Sequence, residues 1–291
     1  MKLEGQVCVV TGAGRGIGRG IAKEQARNGG HVALLGRSSD VETVAAEIVA
    51  QGGQAKAYRV DILDTDSLGA VFAAIRHDLG PIDLLTNNAA SFFAIGPIWE
   101  VDPDAWWRDI ELNLRGTFNC CRAVLPSMMS RGSGRVINLT GGGTGTSFPY
   151  GSGYGTSKAG VLRFTESVSD TLEGTGVKIF AMDPGLVRTS MTEFQMTDPA
   201  GKKYLSDIKD LFARGIDVPP SLAGRLSVEI GSGRFDPLAG RMLFAARGDC
   251  DLTVSQIDDI VARDLRSLRI NGTPEEHPYS GPRGRDQATG S

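Results

Sequence analysis

Short apolar runs alternate with longer stretches of helical periodicity along most of the chain. Apolar runs bounded by glycine, asparagine or charge predict buried strands, and apolar positions three or four residues apart predict helices that pack on them. The predicted strands are Gln6–Thr11, His31–Gly36, Gln54–Val60, Ile82–Asn87, Gly134–Thr140, Val177–Met182 and Gly240–Ala246. The predicted helices are Ile17–Asn28, Asp40–Ala50, Thr65–Leu79, Asp104–Ser130, Tyr154–Glu173, Pro219–Gly231 and Thr253–Leu268. This alternation predicts a doubly wound α/β fold, with parallel strands joined by crossovers and ligands bound beyond their carboxyl ends.

Two segments depart from the alternation. Residues 1–250 are predicted to form a single domain, and residues 186–217 within it carry many apolar and aromatic side chains, which favours a lid over the substrate. Residues 251–270 are predicted to form a helical extension. Residues 271–291 are rich in proline, glycine and charge, which predicts a disordered tail.

Composition favours a small molecule as the partner. The net charge is −3 with both signs interspersed, which argues against a surface for nucleic acid or for a membrane. No apolar run is long enough to span a bilayer, and Met1–Gln6 has no signal-peptide core, so we expect a cytoplasmic protein. The four cysteines lack Cys-x-x-Cys spacing, which indicates reduced thiols, and no metal site is predicted.

Glycine is concentrated where ligands would bind. The chain has 39 glycines among 291 residues, many of them in residues 12–20 and 141–155. The first cluster follows a predicted strand and opens a helix, which is the context that a dinucleotide-binding turn requires. Backbone N–H groups at such a helix N-terminus can bind a pyrophosphate. The candidate cofactor-binding residues in this turn are Gly12, Gly14, Arg15, Gly16, Ile17 and Gly18.

The residues that follow the second strand bear on the choice of cofactor. An acidic side chain at this position suits the ribose hydroxyls of NAD, whereas the 2′-phosphate of NADP needs positive charge. This chain has Arg37 here, and Arg15 lies in the glycine turn. The two arginines favour NADP(H), with NAD as the alternative, although Arg37 could also end the strand in water without binding a ligand.

Tyr154 and Lys158 form a candidate acid–base pair. They stand four residues apart at the start of a helical pattern, so they share one face of the helix. A nearby positive charge makes a phenol easier to ionise, and such a phenol can exchange protons during catalysis.

Several motifs along the chain resemble those of the short-chain dehydrogenase/reductase family. They are T-G-x-x-x-G-x-G from Thr11, N-N-A-A from Asn87, E-L-N-L-R-G-T-F around Asn113, Y-x-x-x-K from Tyr154 and P-G-L-V-R-T from Pro184. The similarity in order and spacing extends from about Leu3 to Ala246. It implies a Rossmann-like fold, a small alcohol or carbonyl substrate, and a homodimer or homotetramer.

The resemblance also assigns roles to particular residues. Tyr154 and Lys158 would be catalytic and would contact the cofactor, and Asn113 would bind a water in a proton relay. Further cofactor contacts would come from Asp61 and Ile62 beside the adenine, from Asn88, and from Pro184, Gly185, Val187 and Thr189 near the nicotinamide.

Position 141 departs from the family pattern. The family has a catalytic serine just after the fifth strand, and counting back from Tyr154 places Gly141 there. Glycine has no side-chain donor for a substrate oxygen, so another hydroxyl is needed or the acceleration is smaller. Thr140 is the nearest candidate, with Thr144 and Ser147 further away. Alternatively, Thr140 is an ordinary strand residue whose hydroxyl bonds to the backbone.

The sequence therefore predicts an oxidoreductase that transfers hydride between NADP(H) and an alcohol or ketone of a largely apolar small substrate. Phe92, Phe93, Phe148 and Tyr150 add to the apolar character of the predicted lid. Two alternatives are a cofactor-binding regulatory protein with little turnover, for which Gly141 is the support, and a 3-oxoacyl reductase that acts on an acyl chain.

Overall fold

A parallel sheet of seven strands forms the centre of the computed structural model, which describes residues 1–269. The strands are β1 (Val7–Thr11), β2 (His31–Gly36), β3 (Gln54–Arg59), β4 (Ile82–Asn87), β5 (Gly134–Leu139), β6 (Val177–Asp183) and β7 (Met242–Phe244). Their order in the sheet is β3-β2-β1-β4-β5-β6-β7. The order reverses between β1 and β4, so the loops after these two strands open a crevice at the carboxyl edge.

Helices cover both faces of the sheet. They are α1 (Gly16–Arg27), α2 (Asp40–Ala50), α3 (Thr65–Asp78), α4 (Pro103–Ile110), α5 (Gly116–Arg131), α6 (Ser152–Thr171), α7 (Ser190–Thr197), α8 (Pro199–Tyr204), α9 (Asp207–Ala213), α10 (Pro220–Gly231) and α11 (Val254–Ala262). Alternate residues of β1 pack on opposite faces: Cys8 and Val10 with α1 and α10, Val7 and Val9 with α3 and α5. This confirms the predicted single-domain doubly wound α/β fold.

Most elements differ from the sequence-based boundaries by one or two residues at an end, and three of the differences change the structure of the element. The predicted helix Asp104–Ser130 contains a π-helical turn at Glu111–Arg115 between α4 and α5. The predicted final strand is shortened to Met242–Phe244, because a 3₁₀ turn begins at Ala245. The predicted helix Thr253–Leu268 ends at Ala262, and the backbone of Arg266 instead accepts a hydrogen bond from the N–H of Met242 at 3.0 Å.

A buried chain of polar side chains fixes α6 to the sheet. Asn87 Nδ2 donates to Asn138 Oδ1 at 2.9 Å, and Asn138 Nδ2 donates to Thr165 Oγ1 at 2.9 Å. Asn138 and Thr165 are fully buried, so these bonds satisfy groups that would otherwise be costly in the core. Helix α6 carries Tyr154 and Lys158, and its position relative to β4 and β5 is therefore set by specific contacts.

The C-terminal segment packs along the edge of the sheet at β7. Arg266 forms a two-pronged ion pair with the buried Asp249, with 3.0 Å between Nη2 and Oδ1. Asp249 also accepts a hydrogen bond from the N–H of Phe244 at 2.6 Å. Through this ion pair, the C-terminal segment is attached to the residues that follow β7. The predicted disordered tail, residues 271–291, lies outside the described residues.

Neither a membrane span nor a metal-binding cluster occurs in the described part of the chain. Within residues 1–269, no helix has both the length and the apolar character needed to cross a bilayer. Over the same residues, no three His, Cys, Asp or Glu side chains converge closely enough to bind a metal ion.

The ion pair at Asp249 predicts a measurable loss of stability. We expect Arg266→Met to lower the free energy of unfolding by about 2 kcal/mol or more, because it leaves a buried carboxylate without its partner. Chemical denaturation followed by circular dichroism measures the change. The matched control is Arg263→Met, which breaks the exposed Arg263–Asp259 pair and should cost well under about 1 kcal/mol. Equal losses for the two variants would contradict the role of Arg266.

Candidate active site

The glycine turn after β1 is held closed by Asn88. The Asn88 side chain donates to the carbonyl oxygens of Thr11 and Gly12 at 2.9 and 3.2 Å, while the hydroxyl of Thr11 accepts from the N–H groups of Asn88 and Ala89. Gly12 has a φ of +64°, and a Cβ there would lie 2.9 Å from Asn88 Nδ2. A Cβ at Gly18 would overlap the Gly12 carbonyl oxygen. The turn therefore requires glycine at both positions.

The N-terminus of α1 fits a phosphate group. Its N-cap residue, Arg15, makes no capping hydrogen bond within the described residues, and the first turn contains no acidic residue. The first N–H groups of a helix have no partner inside the helix, and the helix dipole makes this end favourable for anions. The donors and the lack of a competing carboxylate both suit the pyrophosphate of a nicotinamide dinucleotide.

One cavity of about 1000 Å³ connects this turn to the start of α6. Its size is at the upper end of ordinary ligand sites, which is suitable for a dinucleotide with a small substrate. Among the candidate residues, Gly18 and Asn113 do not line it. Those that do are Gly12, Gly14, Arg15, Gly16, Ile17, Arg37, Asp61, Ile62, Asn88, Thr140, Tyr154, Lys158, Pro184, Gly185, Val187 and Thr189.

The two arginines proposed for the 2′-phosphate both lie at the cavity and are exposed. Arg37 Nη1 is 3.5 Å from Asp61 Oδ2, and the Arg37 side chain is 70% exposed. An ion pair that is so exposed contributes little to stability, so Arg37 is available to a ligand. Asp61 is further held by a hydrogen bond from the N–H of Leu63 at 3.0 Å.

The segment after β6 closes the opposite wall. Gly185 has a φ of +81° and its N–H donates to Asp183 Oδ1 at 2.8 Å. Thr189 caps α7 through its hydroxyl, which accepts from the N–H of Thr192 at 3.3 Å. A Cβ at Gly16 would lie 3.0 Å from Thr189 Cγ2, so this segment packs directly on the glycine turn.

Tyr154 and Lys158 lie together, as their spacing predicts. Lys158 Nζ is 5.6 Å from the centroid of the Tyr154 ring and donates to the carbonyl oxygen of Leu139 at 2.9 Å. Burial lowers the pKa of Lys158 to about 8, against a smaller opposing effect of Asp183. The lysine is thus fixed by the end of β5 and does not donate to the phenol.

The pKa of Tyr154 moves in the opposite direction from the sequence-based expectation. Burial raises it, and the negative charges of Asp183 and Asp109 raise it further. The spacing of Lys158 predicts a lower pKa, but Lys158 Nζ lies 5.6 Å from the ring centroid and burial outweighs any effect of its charge. A tyrosine is protonated at neutral pH even without this shift, and the raised pKa makes the buried phenol a weaker acid.

Position 141 faces the hydroxyl of Tyr154. A Cβ built on Gly141 would lie 2.5 Å from Tyr154 Oη, closer than side chains normally approach. The Tyr154 hydroxyl therefore occupies space that a side chain at 141 would fill. Thr144, one of the more distant donors considered above, uses its hydroxyl locally: it donates to the Gly141 carbonyl oxygen at 2.6 Å.

Thr140 points away from this hydroxyl. Its Oγ1 donates to Met242 Sδ in β7 at 3.4 Å, and its side chain is 2% exposed. Strand β5 ends at Leu139, and the backbone after it directs the Thr140 hydroxyl to Met242 while Gly141 lies at the Tyr154 hydroxyl. This geometry argues against the hypothesis that Thr140 replaces the family serine.

Asn113 connects two parts of the site through its side chain. Its Oδ1 accepts from the N–H of Ser91 at 2.8 Å, and its Nδ2 donates to the Ser91 carbonyl oxygen and to Ser157 Oγ, both at 2.9 Å. Ser157 Oγ in turn donates to the Tyr154 carbonyl oxygen at 2.7 Å. Asn113 thus joins the loop after β4 to the first turn of α6, and its part in a proton relay stays a prediction.

The sequence does not predict the roles of two residues near Tyr154. The ring of Phe92 stacks on the Tyr154 ring, with centroids 4.7 Å apart and planes 16° apart. Asp109 is fully buried beneath the loop that carries Phe92. The sequence predicts the aromatic residues around position 92 only as an apolar lining of the substrate site. No sequence pattern predicts a role for Asp109.

Helices α7 to α9 cover the outer part of the cavity. Tyr204 stacks on Tyr150 with centroids 4.8 Å apart, and its hydroxyl donates to Glu100 at 2.6 Å. Phe194 contacts Phe93 edge to face at 5.7 Å. The insertion is therefore fastened to the loop between β4 and α4 at two points.

The close approach at Gly141 gives a paired prediction. We expect Gly141→Ala to lower kcat by about 10-fold or more, because the added methyl group must displace the Tyr154 hydroxyl and small misplacements of a reacting group are costly. Thr140→Val should change kcat far less, since the Thr140 hydroxyl is directed at Met242. Steady-state kinetics of both variants decides; a greater loss for Thr140→Val would restore its proposed catalytic role.

Comparison with known proteins gives the family. The model of the short chain dehydrogenase family matches residues 6–200. A short chain dehydrogenase of Pseudocercospora fijiensis is 38% identical over 193 residues, which cover 65% of this chain and 62% of that protein, so the chain spans less than two thirds of this relative. A 3-oxoacyl-(acyl-carrier-protein) reductase of Synechocystis sp. is 35% identical over 199 residues, covering 68% of this chain and 80% of the reductase.

A solved structure agrees with these relatives. The crystal structure of a variant of actinorhodin polyketide ketoreductase with NADPH superposes with a TM-score of 0.76 at 26% identity, covering 87% of this chain and 99% of that one. The match over residues 6–200 includes the glycine turn, Tyr154 and Lys158. The chain therefore belongs to the short-chain dehydrogenase family of oxidoreductases.

Proposed function

We propose that this oxidoreductase reduces the carbonyl group of a small, largely apolar substrate with NADPH, and oxidises the corresponding alcohol in reverse. The supporting observation is that the Tyr154 hydroxyl lies at Gly141 in the same cavity as the glycine turn, beside a buried lysine. Bound NADPH would supply the hydride. The protein would supply the proton and would exclude water around it.

Tyr154 would donate its proton to the substrate oxygen. The phenol is protonated at neutral pH and so carries the proton that reduction requires, while its raised pKa makes it a weaker acid. Lys158, held at the Leu139 carbonyl oxygen, would place its ammonium at the inner end of the cavity, where the cofactor ribose would bind. Because Gly141 contributes no hydroxyl, Tyr154 would hold the substrate oxygen without a serine partner.

The glycine turn, Asn88 and the segment from Pro184 to Thr189 would hold the cofactor. The exposed guanidinium groups of Arg15 and Arg37 would bind the 2′-phosphate, which is the basis for preferring NADP(H) over NAD. Asp61 and Ile62 would flank the adenine.

The outer cavity would bind the substrate. Its walls are mainly apolar, and a buried amide, Gln195, also lines it. The apolar residues are Phe92, Phe148, Leu186, Met191, Leu205, Ile208 and Leu211. We propose that residues 186–217 act as a lid over this part of the site, and that the protein works as a homodimer or homotetramer in the cytoplasm.

A 3-oxoacyl reductase is the second candidate, supported by the similarity to the Synechocystis reductase. If the protein is a 3-oxoacyl reductase, its activity on a 3-oxoacyl thioester should exceed its activity on simple ketones. A panel that contains both classes of substrate distinguishes the two functions.

The role of Tyr154 gives the first prediction on function. We expect Tyr154→Phe to lower kcat/KM by about 100-fold or more, because it removes the proton donor while keeping the ring. The affinity for NADPH, measured by fluorescence titration, should remain nearly unchanged. Substantial residual turnover would remove Tyr154 from the role of acid.

The role of Arg37 gives the second. We expect Arg37→Asp to weaken NADPH binding by about 10- to 100-fold, the effect of losing a charge-assisted hydrogen bond, and to weaken NADH binding much less. The control is Arg122→Asp, an exposed arginine on α5 outside the cavity. Equal losses for NADPH and NADH would contradict the assignment of the 2′-phosphate site.

A further inference from the structure

A buried carboxylate, Asp109, organises the loop that carries Phe92. Asp109 lies in α4 and has no exposed surface. Its Oδ1 accepts from the hydroxyl of Ser91 at 2.6 Å, its Oδ2 accepts from the N–H of Ala94 at 3.0 Å, and the N–H of Phe93 reaches both oxygens at 2.9 and 3.1 Å. A buried carboxylate with this many donors is a fixed anchor for the loop.

Hydrogen bonds from the residues before and after Phe92 attach its loop to Asp109. Ser91, just before it, bonds to Asp109 through its hydroxyl and to Asn113 through its backbone, and the N–H groups of Phe93 and Ala94, just after it, bond to Asp109. The backbone of residues 91–94 therefore has little freedom, and the side chain of Phe92 is 2% exposed.

The Phe92 ring forms one wall for Tyr154. The two rings are stacked, and Phe148 meets both of them edge to face, with centroids 5.5 Å from Phe92 and 6.2 Å from Tyr154. A Cβ on Gly151 would lie 2.7 Å from Phe92 Cζ, so the ring also fills its space closely on the side of α6. This packing fixes the plane of the Tyr154 ring. Residue 141 is glycine and has no side chain that could hold the phenol.

We propose that Asp109 is a positioning residue for catalysis, which holds Phe92 against Tyr154 and so orients the phenol that Gly141 leaves without a side-chain partner. Asp109 touches neither the cavity nor the phenol and acts through Ser91–Ala94. The inference rests on the proposed role of Tyr154 as the acid. It concerns how this acid is held.

The charge of Asp109 provides a signature that a purely structural role would not produce. Burial, Asp183 and Asp109 raise the pKa of Tyr154, and the nearby cation is Lys158, with Nζ 5.6 Å from the ring centroid. In the reductive direction Tyr154 must be protonated, so the rate falls as pH rises through its pKa. Replacing Asp109 by a neutral residue lowers that pKa, and the fall must then begin at a lower pH.

The test uses the full chain with NADPH and the most active carbonyl substrate of a panel. Asp109→Asn keeps the shape but replaces one acceptor oxygen by a donor, which faces the N–H groups of the loop. We expect kcat to fall about 10-fold or more and the alkaline limb of the pH profile to move to lower pH by about half a unit or more, with NADPH affinity nearly unchanged. The matched control, Asp104→Asn on the exposed side of α4, should match the parent chain in all three measurements.

Phe92→Leu tests the route independently and decides the matter if Asp109→Asn does not fold. It should also lower kcat by about 10-fold or more while NADPH still binds. An unchanged kcat for Phe92→Leu, or an Asp109→Asn enzyme with the parent kcat and the parent alkaline limb, would overturn the proposal. Tyr154→Phe in the same assay distinguishes a failure of the positioning role from a failure of the proposed function. If it is inactive while both other variants are normal, the positioning role alone is wrong; if it remains active, the proposed function itself is wrong.

Discussion

The contact between the Tyr154 hydroxyl and the backbone at Gly141 is the constraint around which the site is arranged. A Cβ at 141 would lie 2.5 Å from this hydroxyl, so in this structure the phenol lies closer to the backbone than a side chain at 141 would allow without a shift. Glycine also offers no side-chain donor to a substrate oxygen at this position. Orientation of the phenol must then come from packing, and the stacked ring of Phe92 provides it at 4.7 Å. The glycine at 141 thus bears both on the donors near a substrate oxygen and on the packing that holds the phenol.

Buried polar groups make that packing specific. Asn87, Asn138 and Thr165 tie α6 to the sheet, and Asp109 with Asn113 ties the loop after β4 to α4 and α6. Each of these groups would be expensive to bury without its partners, so alternative arrangements of the helix and loop are disfavoured. The same packing affects Tyr154, because burial and the nearby carboxylates raise its pKa. The phenol is in any case protonated at neutral pH, the form required for reduction, and the raised pKa makes it a weaker acid.

The fold could be predicted from the sequence because strand and helix periodicities were strong and the connections short. The glycine turn and the pair of Tyr154 and Lys158 were likewise predicted by local spacing, whereas the anomaly at Gly141 followed only from the resemblance to the family. The orientation of Thr140 could not be predicted from the strand pattern, because β5 ends at Leu139 and the contact of the Thr140 hydroxyl with Met242 depends on the tertiary structure. Asp109 could not be found in this way. An aspartate in a polar helix pattern is normally exposed, and its burial depends on a loop, residues 91–94, that only the tertiary structure brings over it.

Transfer of deuterium tests the central claim most directly. The chain would be incubated with NADPH deuterated at C4 of the nicotinamide and with a panel of small ketones and 3-oxoacyl thioesters, and the products would be examined by mass spectrometry. The account predicts at least one product alcohol with deuterium on the former carbonyl carbon, formed by the parent chain and not by Tyr154→Phe. Saturable binding of NADPH without labelled alcohol from any substrate would contradict it and would favour a protein that binds the cofactor without turnover.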